Sequence, residues 1–334
     1  MIKNQLRVLF LTVAERRERA TTSAGLIDSI RADRPDMTDA VFYCPLSGNS
    51  AYTLITEREV FKAPLEKDQH DDFHAEINIL KFLEGKGLPV PAVTCTGEYP
   101  LYYGMTRLPG VVAGCVIATW TPEQQRDLGR QLAGFAKAFD AALDEEAGRG
   151  FVAERSPFMH MMYKIRSAWR KFEDPEVCKL LGKDVGFCMG IMDAYSDRLA
   201  NDKGKQIICP SDFHEENILV DPVCGHLHGV IDIGDVQRYL PEMLASRIAW
   251  FFGDHVAAGV VDHFAQTLQD FKSDDYHALR LIEGLEVIGC GKEDAQRWGM
   301  GVIADSIAAM KQANEPKLKN VSFPQKAQGV RHAP

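Results

Sequence analysis

Three polar side chains between Ile207 and Val236 stand at a spacing with a definite chemical use. Asp212 is followed five residues later by Asn217, and Asp232 opens the tripeptide Asp232-Ile233-Gly234. A carboxylate such as Asp212 can accept a proton from a hydroxyl as that oxygen attacks phosphorus. Asn217 and Asp232 offer hard oxygen ligands of the kind magnesium takes when carried on a nucleotide triphosphate. A further acid, Asp235, follows. D-x-x-x-x-N ahead of D-x-G is the strongest chemical signal in the chain.

These residues need elements to hold them. Ile207-Ile208, Ile218-Leu219-Val220 and Val230-Ile231 are apolar and mostly β-branched, and Pro222 and Gly225 punctuate the interval between the last two. The stretch therefore reads as strand, irregular loop, strand, hairpin, strand, with the polar residues in the loops.

Phosphates also need a cation. Lys62 ends the strand pattern Val60-Phe61-Lys62, and Glu76 follows fourteen positions later on a helix expected over 70–84, which Gly85 terminates. Phe73, Ile77, Leu80, Phe82 and Leu83 give that helix its buried face, and Glu76 lies beside it. A strand lysine held by a helix glutamate fixes an ammonium against α- and β-phosphates. Taken alone, the pair also reads as two surface charges. Upstream, Ser47, Gly48, Asn49 and Ser50 form a turn between strands expected at 40–46 and 51–56. Such a turn can hold phosphates through N–H groups and hydroxyls, or be an ordinary hairpin. A strand over 101–105 leads into Thr106-Arg107-Leu108-Pro109-Gly110, which reads as a hinge or linker. Backbone groups around Thr106 and Leu108 are suited to an adenine edge.

The remainder is mostly helical. Residues 1–35 read as helix. Thr121 reads as an N-cap, with Pro122 after it and core positions at Leu128, Leu132, Phe135, Phe139 and Leu143. Further helices are expected at 157–172, 176–200, 240–272, 276–288 and 293–313. The tail beyond Asn314 reads as poorly ordered.

At 334 residues, 46% hydrophobic and 25% charged, the chain is an ordinary globular protein of about two domains. A net charge of −9 argues against a nucleic-acid partner and permits a cationic small substrate. Eight cysteines without a C-x-x-C pair read as reduced thiols in a cytoplasmic protein. Val8–Ala14 is short and is followed by charged Glu15–Arg19, so it reads as helix and not as a signal peptide. No apolar run approaches the roughly 18 residues that span a bilayer, so no membrane partner is expected. Cys224, His226 and His228 invite a metal reading, but the hairpin accounts for their alternation.

Taken in order, GNSAYTLI, VFK, HAEINILKFL, GMTRLPG, SDFHEENILVD and GVIDIGD resemble the aminoglycoside phosphotransferase family, within the wider group of choline, homoserine and methylthioribose kinases. The resemblance runs from about Ala40 to Asp254. It implies an α+β, two-lobed protein-kinase-like fold: a small N-terminal antiparallel sheet lobe with one key helix, and a larger, mainly helical C-terminal lobe. The expected divisions are a nucleotide-binding lobe over 1–107, a catalytic lobe over 108–315 and a tail over 316–334.

By resemblance, Ser47, Gly48, Asn49 and Ser50 lie over the phosphates, Lys62 contacts them, Glu76 holds Lys62, and Met105, Thr106 and Leu108 line the adenine site. Asp212 is the catalytic base, and Asn217 and Asp232 bind Mg²⁺. The implied activity transfers the γ-phosphoryl of ATP, or GTP, to a hydroxyl of an aminoglycoside-like or other small polar acceptor. The family's usual His-Gly-Asp is Pro210-Ser211-Asp212 here, and its Asp-Leu-Ala aspartate falls at Leu244. Those departures motivate the alternative of a nucleotide-binding pseudokinase or regulatory module.

Overall fold

Alternation along Glu59–Pro64 (β2) sends Phe61 and Lys62 to opposite faces of a strand, and the first sheet is built on that division. The computed structural model describes residues 13–45, 51–65, 69–98, 101–144, 148–152, 157–201, 206–269, 271–288 and 293–318. They fall into two compact units, Met1–Pro157 with Lys205–Gln269, and Phe158–Gly204 with Asp270–Pro334. The lobe boundary expected at 107/108 lies inside the first unit.

In the first unit, α1 (Val13–Asp33) precedes an antiparallel sheet of β1 (Ala51–Ile55), β2, β3 (Val93–Glu98) and β4 (Leu101–Thr106), in the order β1-β2-β4-β3. Leu26 and Ile30 of α1 share a core with Leu54, Phe61, Ala63 and Tyr102, and the Tyr102 hydroxyl donates to Asp33 Oδ2 at 2.7 Å. On the other face lies α2 (His70–Leu83), which buries Phe73, Glu76, Ile77 and Leu80. Lys62 sits opposite Tyr103 across β2 and β4, and Phe73 meets the Tyr103 ring edge-on at 5.8 Å. The strand expected at 40–46 is reduced to one bridge, Tyr43 with Ile55, because the neighbouring residues Phe42 and Ala40 pack against the α1 core instead of extending a ladder.

After β5 (Val111–Val112) and a short helix, α3 (Ala113–Val116), the chain enters α4 (Pro122–Leu143). Its start is a capping box: Thr121 accepts from the Gln124 N–H, and the Gln124 side chain accepts from the Thr121 N–H. β6 (Ile207–Pro210) pairs with β9 (Val236–Tyr239), a strand the sequence reading did not separate, while β7 (Ile218–Val220) pairs with β5 and β8 (Leu227–Val230). The helix expected over 240–272 is two helices, α8 (Pro241–Phe252) and α9 (Asp254–Thr267). They divide at Gly253, whose φ of 90° an α-helix cannot continue.

The second unit holds α5 (Pro157–Lys171), α6 (Pro175–Leu181), α7 (Val185–Asn201), α10 (Ser273–Val287) and α11 (Glu293–Leu318). The single helix expected over 176–200 is thus interrupted, at Gly182–Asp184. Arg198 reaches Asp275 at 3.1 Å and ties α7 to α10, and Lys164 lies 3.3 Å from Glu283 and ties α5 to α10. None of the described cysteines is in a disulfide. No helix among the described residues is long and apolar enough to cross a membrane.

Candidate active site

Lys62 Nζ lies 3.1 and 3.2 Å from the two Glu76 carboxylate oxygens and 2.8 Å from Asp232 Oδ1. The surface-charge reading of Lys62 and Glu76 is therefore set aside: their side chains are only 14% and 7% exposed. Burial pulls the Lys62 ammonium down, but Glu76 and Asp232 outweigh it and hold the group above its ordinary range. Tyr103 is fully buried beside this trio, and burial, then Glu76, pushes its phenol well above the usual value.

Asp232 has φ of 60°, the one positive value at a non-glycine among the described residues. A short polar side chain tolerates that conformation, which here aims the carboxylate at Lys62. Two residues on, Gly234 passes close under α2: a Cβ there would lie 3.0 Å from Glu76 Cβ.

The second group is built on the loop between β6 and β7. Phe213 is buried and stacks on Phe135 of α4 at 5.8 Å, which pins the loop and leaves its neighbour Asp212 half exposed. Asn217 Nδ2 donates to the Asp212 backbone oxygen at 2.9 Å and to its Oδ2 at 3.3 Å. His214 Nδ1 accepts the Glu216 N–H at 3.1 Å, so the proton sits on Nε2, 3.2 Å from Asp212 Oδ2. That hydrogen bond, working against burial, holds the Asp212 carboxyl below its usual range, with Arg247 and Asn217 adding to the effect. Finally, the Ile231 N–H donates to the Asn217 backbone oxygen at 2.9 Å and fastens the Asp232 loop to this one.

The donor set suits magnesium. Asn217 spends its nitrogen on Asp212 and keeps Oδ1, while Asp232 spends Oδ1 on Lys62 and keeps Oδ2. Both are hard oxygen ligands, and nucleotide phosphates can complete the shell.

Met105 is buried on β4. The Thr106 N–H is taken by Ala92 O at 2.8 Å and the Arg107 N–H by Arg58 O at 2.8 Å, so neither donor is open to an adenine edge. The Leu108 side chain covers Gly229, where a Cβ would lie 2.3 Å from it. Ser47, Gly48, Asn49 and Ser50 lie outside the described residues, as does most of the tail.

Leu244, where the resemblance leads one to expect the family aspartate, is fully buried and apolar. Loop support comes instead from residues to which the sequence reading gave a secondary role or none: Ser211 with Asp235, and His214 against Phe251 at 5.4 Å. Trp250 beside it is 56% exposed, while Phe252 is buried.

A lysine paired to a helix glutamate under an antiparallel sheet, joined to an Asp–Asn loop, defines a kinase-like phosphotransferase. The comparisons narrow this. A family model described as the phosphotransferase enzyme family, APH, matches residues 45–282, and the chain belongs to that family. It is a phosphotransferase with an alcohol group as acceptor. Among solved structures, the GDP complex of aminoglycoside 2'-phosphotransferase-IIIa is 16% identical with a TM-score of 0.54, covering 84% of this chain and 97% of that one. The GDP and kanamycin complex of an APH(2") enzyme is 18% identical with a TM-score of 0.54, covering 87% and 98%. ADP-bound APH(2'')-Ib is 13% identical with a TM-score of 0.52, covering 83% and 97%. No curated protein matches.

Proposed function

We propose that this chain is a small-molecule kinase that transfers the γ-phosphoryl of ATP, or GTP, to a hydroxyl of an aminoglycoside-like or other small polar acceptor. The observation that carries it is the joining of Lys62–Glu76–Asp232 to Asp212–Asn217 through the Ile231–Asn217 backbone bond. The similar structures are complexes with GDP, with GDP and kanamycin, and with ADP, in keeping with this reading. Residues 1–107 then serve the nucleotide and 108–315 the acceptor and the chemistry. Eight scattered cysteines without a C-x-x-C pair are in keeping with a cytoplasmic location.

Lys62 positions the triphosphate, and Glu76 keeps the ammonium from following Asp232. Asp212 accepts the acceptor's hydroxyl proton as that oxygen bonds to the γ-phosphorus. The bond from that phosphorus to the β–γ bridging oxygen breaks, and the nucleoside diphosphate leaves. Asn217 and Asp232 would hold Mg²⁺, which when bound offsets negative charge on the phosphates. Ser47–Ser50 and the Met105–Leu108 segment are assigned the phosphates and the base.

A coupled assay of nucleoside diphosphate release across aminoglycosides, aminoalcohols and sugars tests the proposal. Turnover that vanishes in Asp212→Ala supports it. The second reading, a nucleotide-binding module without turnover, is favoured by the apolar Leu244 and by Pro210. It gains if Mg-nucleotide binds and no acceptor is phosphorylated. A wild-type protein that binds no Mg-nucleotide would end both.

A further inference from the structure

Arg247 stands on α8 one turn after Leu244, and its Nε is buried without a hydrogen-bond partner among the described residues. Arg34, Arg126 and Arg130 of the same unit are each joined to acids, Arg34 to Asp36 and Glu59, Arg126 to Asp262, and Arg130 to Glu123. Arg247 instead lies over the Phe251 ring at 5.3 Å. The same ring meets His214 at 5.4 Å, and His214 is the residue bonded to Asp212. The guanidinium is thus held in the cluster that surrounds the reacting carboxylate, and its charge is felt at Asp212, Cys209 and Tyr239.

An arginine remains protonated at any working pH, and its planar fork matches an oxyanion in geometry and charge. Leaving a buried charged donor unsatisfied costs free energy, and that cost is recovered when an anion arrives. Stacking on Phe251 also fixes the fork in advance, so less side-chain entropy is lost on binding.

We propose that Arg247 is an oxyanion receptor beside Asp212. Its ligand is either the phosphoryl group in transit or a carboxylate or phosphate carried by the acceptor. The proposal rests on the kinase reading, and the two can fail separately.

The experiment uses the full chain as wild type, R247Q and R247K. Calorimetric titration with MgADP tests the kinase reading. Inorganic phosphate is then titrated into both the free protein and the MgADP-bound protein. Phosphate should bind R247Q at least about tenfold more weakly than wild type, with R247K between them, while MgADP affinity stays the same. Should R247Q fail to fold, R247K still must bind phosphate several-fold more weakly. No phosphate binding by wild type, or equal binding by wild type and the variants, overturns the assignment. Loss of MgADP binding by wild type sinks the kinase reading while the phosphate comparison still stands.

Kinetics separate the two sources. If the phosphoryl group in transit is the ligand, R247Q lowers kcat for every acceptor and for acceptor-independent hydrolysis. If the anion belongs to the acceptor, R247Q raises KM for hydroxy-carboxylates or hydroxyalkyl phosphates far more than for cationic aminoalcohols. Kinetics untouched in every arm count against the proposal.

Discussion

Ser211 Oγ donates to Asp235 Oδ2 at 2.5 Å, clasping the loop that carries Asp212 to the loop that carries Asp232. The Ser211 N–H adds a bond to the Asp235 backbone oxygen at 2.7 Å, and Gln237 Nε2 steadies the same carboxylate at 3.0 Å. A glycine at this position, as the family resemblance leads one to expect, would have no hydroxyl to make such a clasp. Because the contact is exposed, we take it as worth about 1 kcal/mol. Ser211→Ala should therefore lower the rate of acceptor-independent ATP hydrolysis about fivefold, with MgADP affinity unchanged by calorimetry. An unchanged rate would remove the clasp from the mechanism.

The Lys62–Glu76 pair makes a separate prediction about stability. Glu76→Ala leaves a buried ammonium with one carboxylate in place of two, and should destabilise the protein by about 3 kcal/mol in urea denaturation. Replacing both, as in a Lys62→Met, Glu76→Leu double variant, removes the uncompensated charge and should recover at least half of that loss. It should also abolish nucleotide binding, so stability and function part company. A double variant no more stable than Glu76→Ala would argue that packing, not charge, sets the cost.

The crossing of α4 and α9 depends on two glycines. A Cβ on Gly129 would lie 1.9 Å from Val256 O, and one on Gly259 would lie 1.9 Å from Arg126 O. Helix backbone cannot yield as a side-chain tip can, so Gly129→Ala should cost about 1–3 kcal/mol despite alanine's better helix propensity. Scanning calorimetry reads this as a lower Tm. A raised Tm would mean that the helices separate freely.

His277 supplies a pH dependence in the second unit. Burial, aided by Arg280 and opposed by Asp274, holds its imidazole below the usual 6.5. The unfolded chain then binds the proton more readily than the fold does. The His277 contribution is fully present above pH 6.5 and is lost as pH falls from there through the lower folded value. His277→Gln should flatten the fall in Tm between pH 7.5 and 5.5 relative to wild type. Parallel curves for the two proteins would refute this.

Much of the site was legible in the chain because its signals are local. Asp212 and Asn217 sit on one loop, five residues apart, and they meet directly. The period-two pattern around Lys62 and the helical pattern around Glu76 each foretold the face that its residue occupies. Less legible were the breaks. Gly253 lies inside a continuous helical pattern, and periodicity does not register a single positive φ. β9 was missed because Val236–Tyr239 carries Gln237 and Arg238, and its place in a sheet comes only from pairing with β6. The hinge donors looked open to adenine, yet Ala92 and Arg58, from other segments, had taken two of them.

By itself, then, the sequence determined the reaction class and the order of most elements, and it singled out the candidate base and ligand residues, since spacing and periodicity encode them within a few turns of chain. Only the tertiary structure decided which distant groups meet. Lys62 finds Asp232 across 170 positions, Ser211 finds Asp235, and Arg247 shares the Phe251 ring with His214 while its Nε finds no partner among the described residues. Those pairings are set by how helices and strands pack, and packing depends on the shape and charge of many side chains at once.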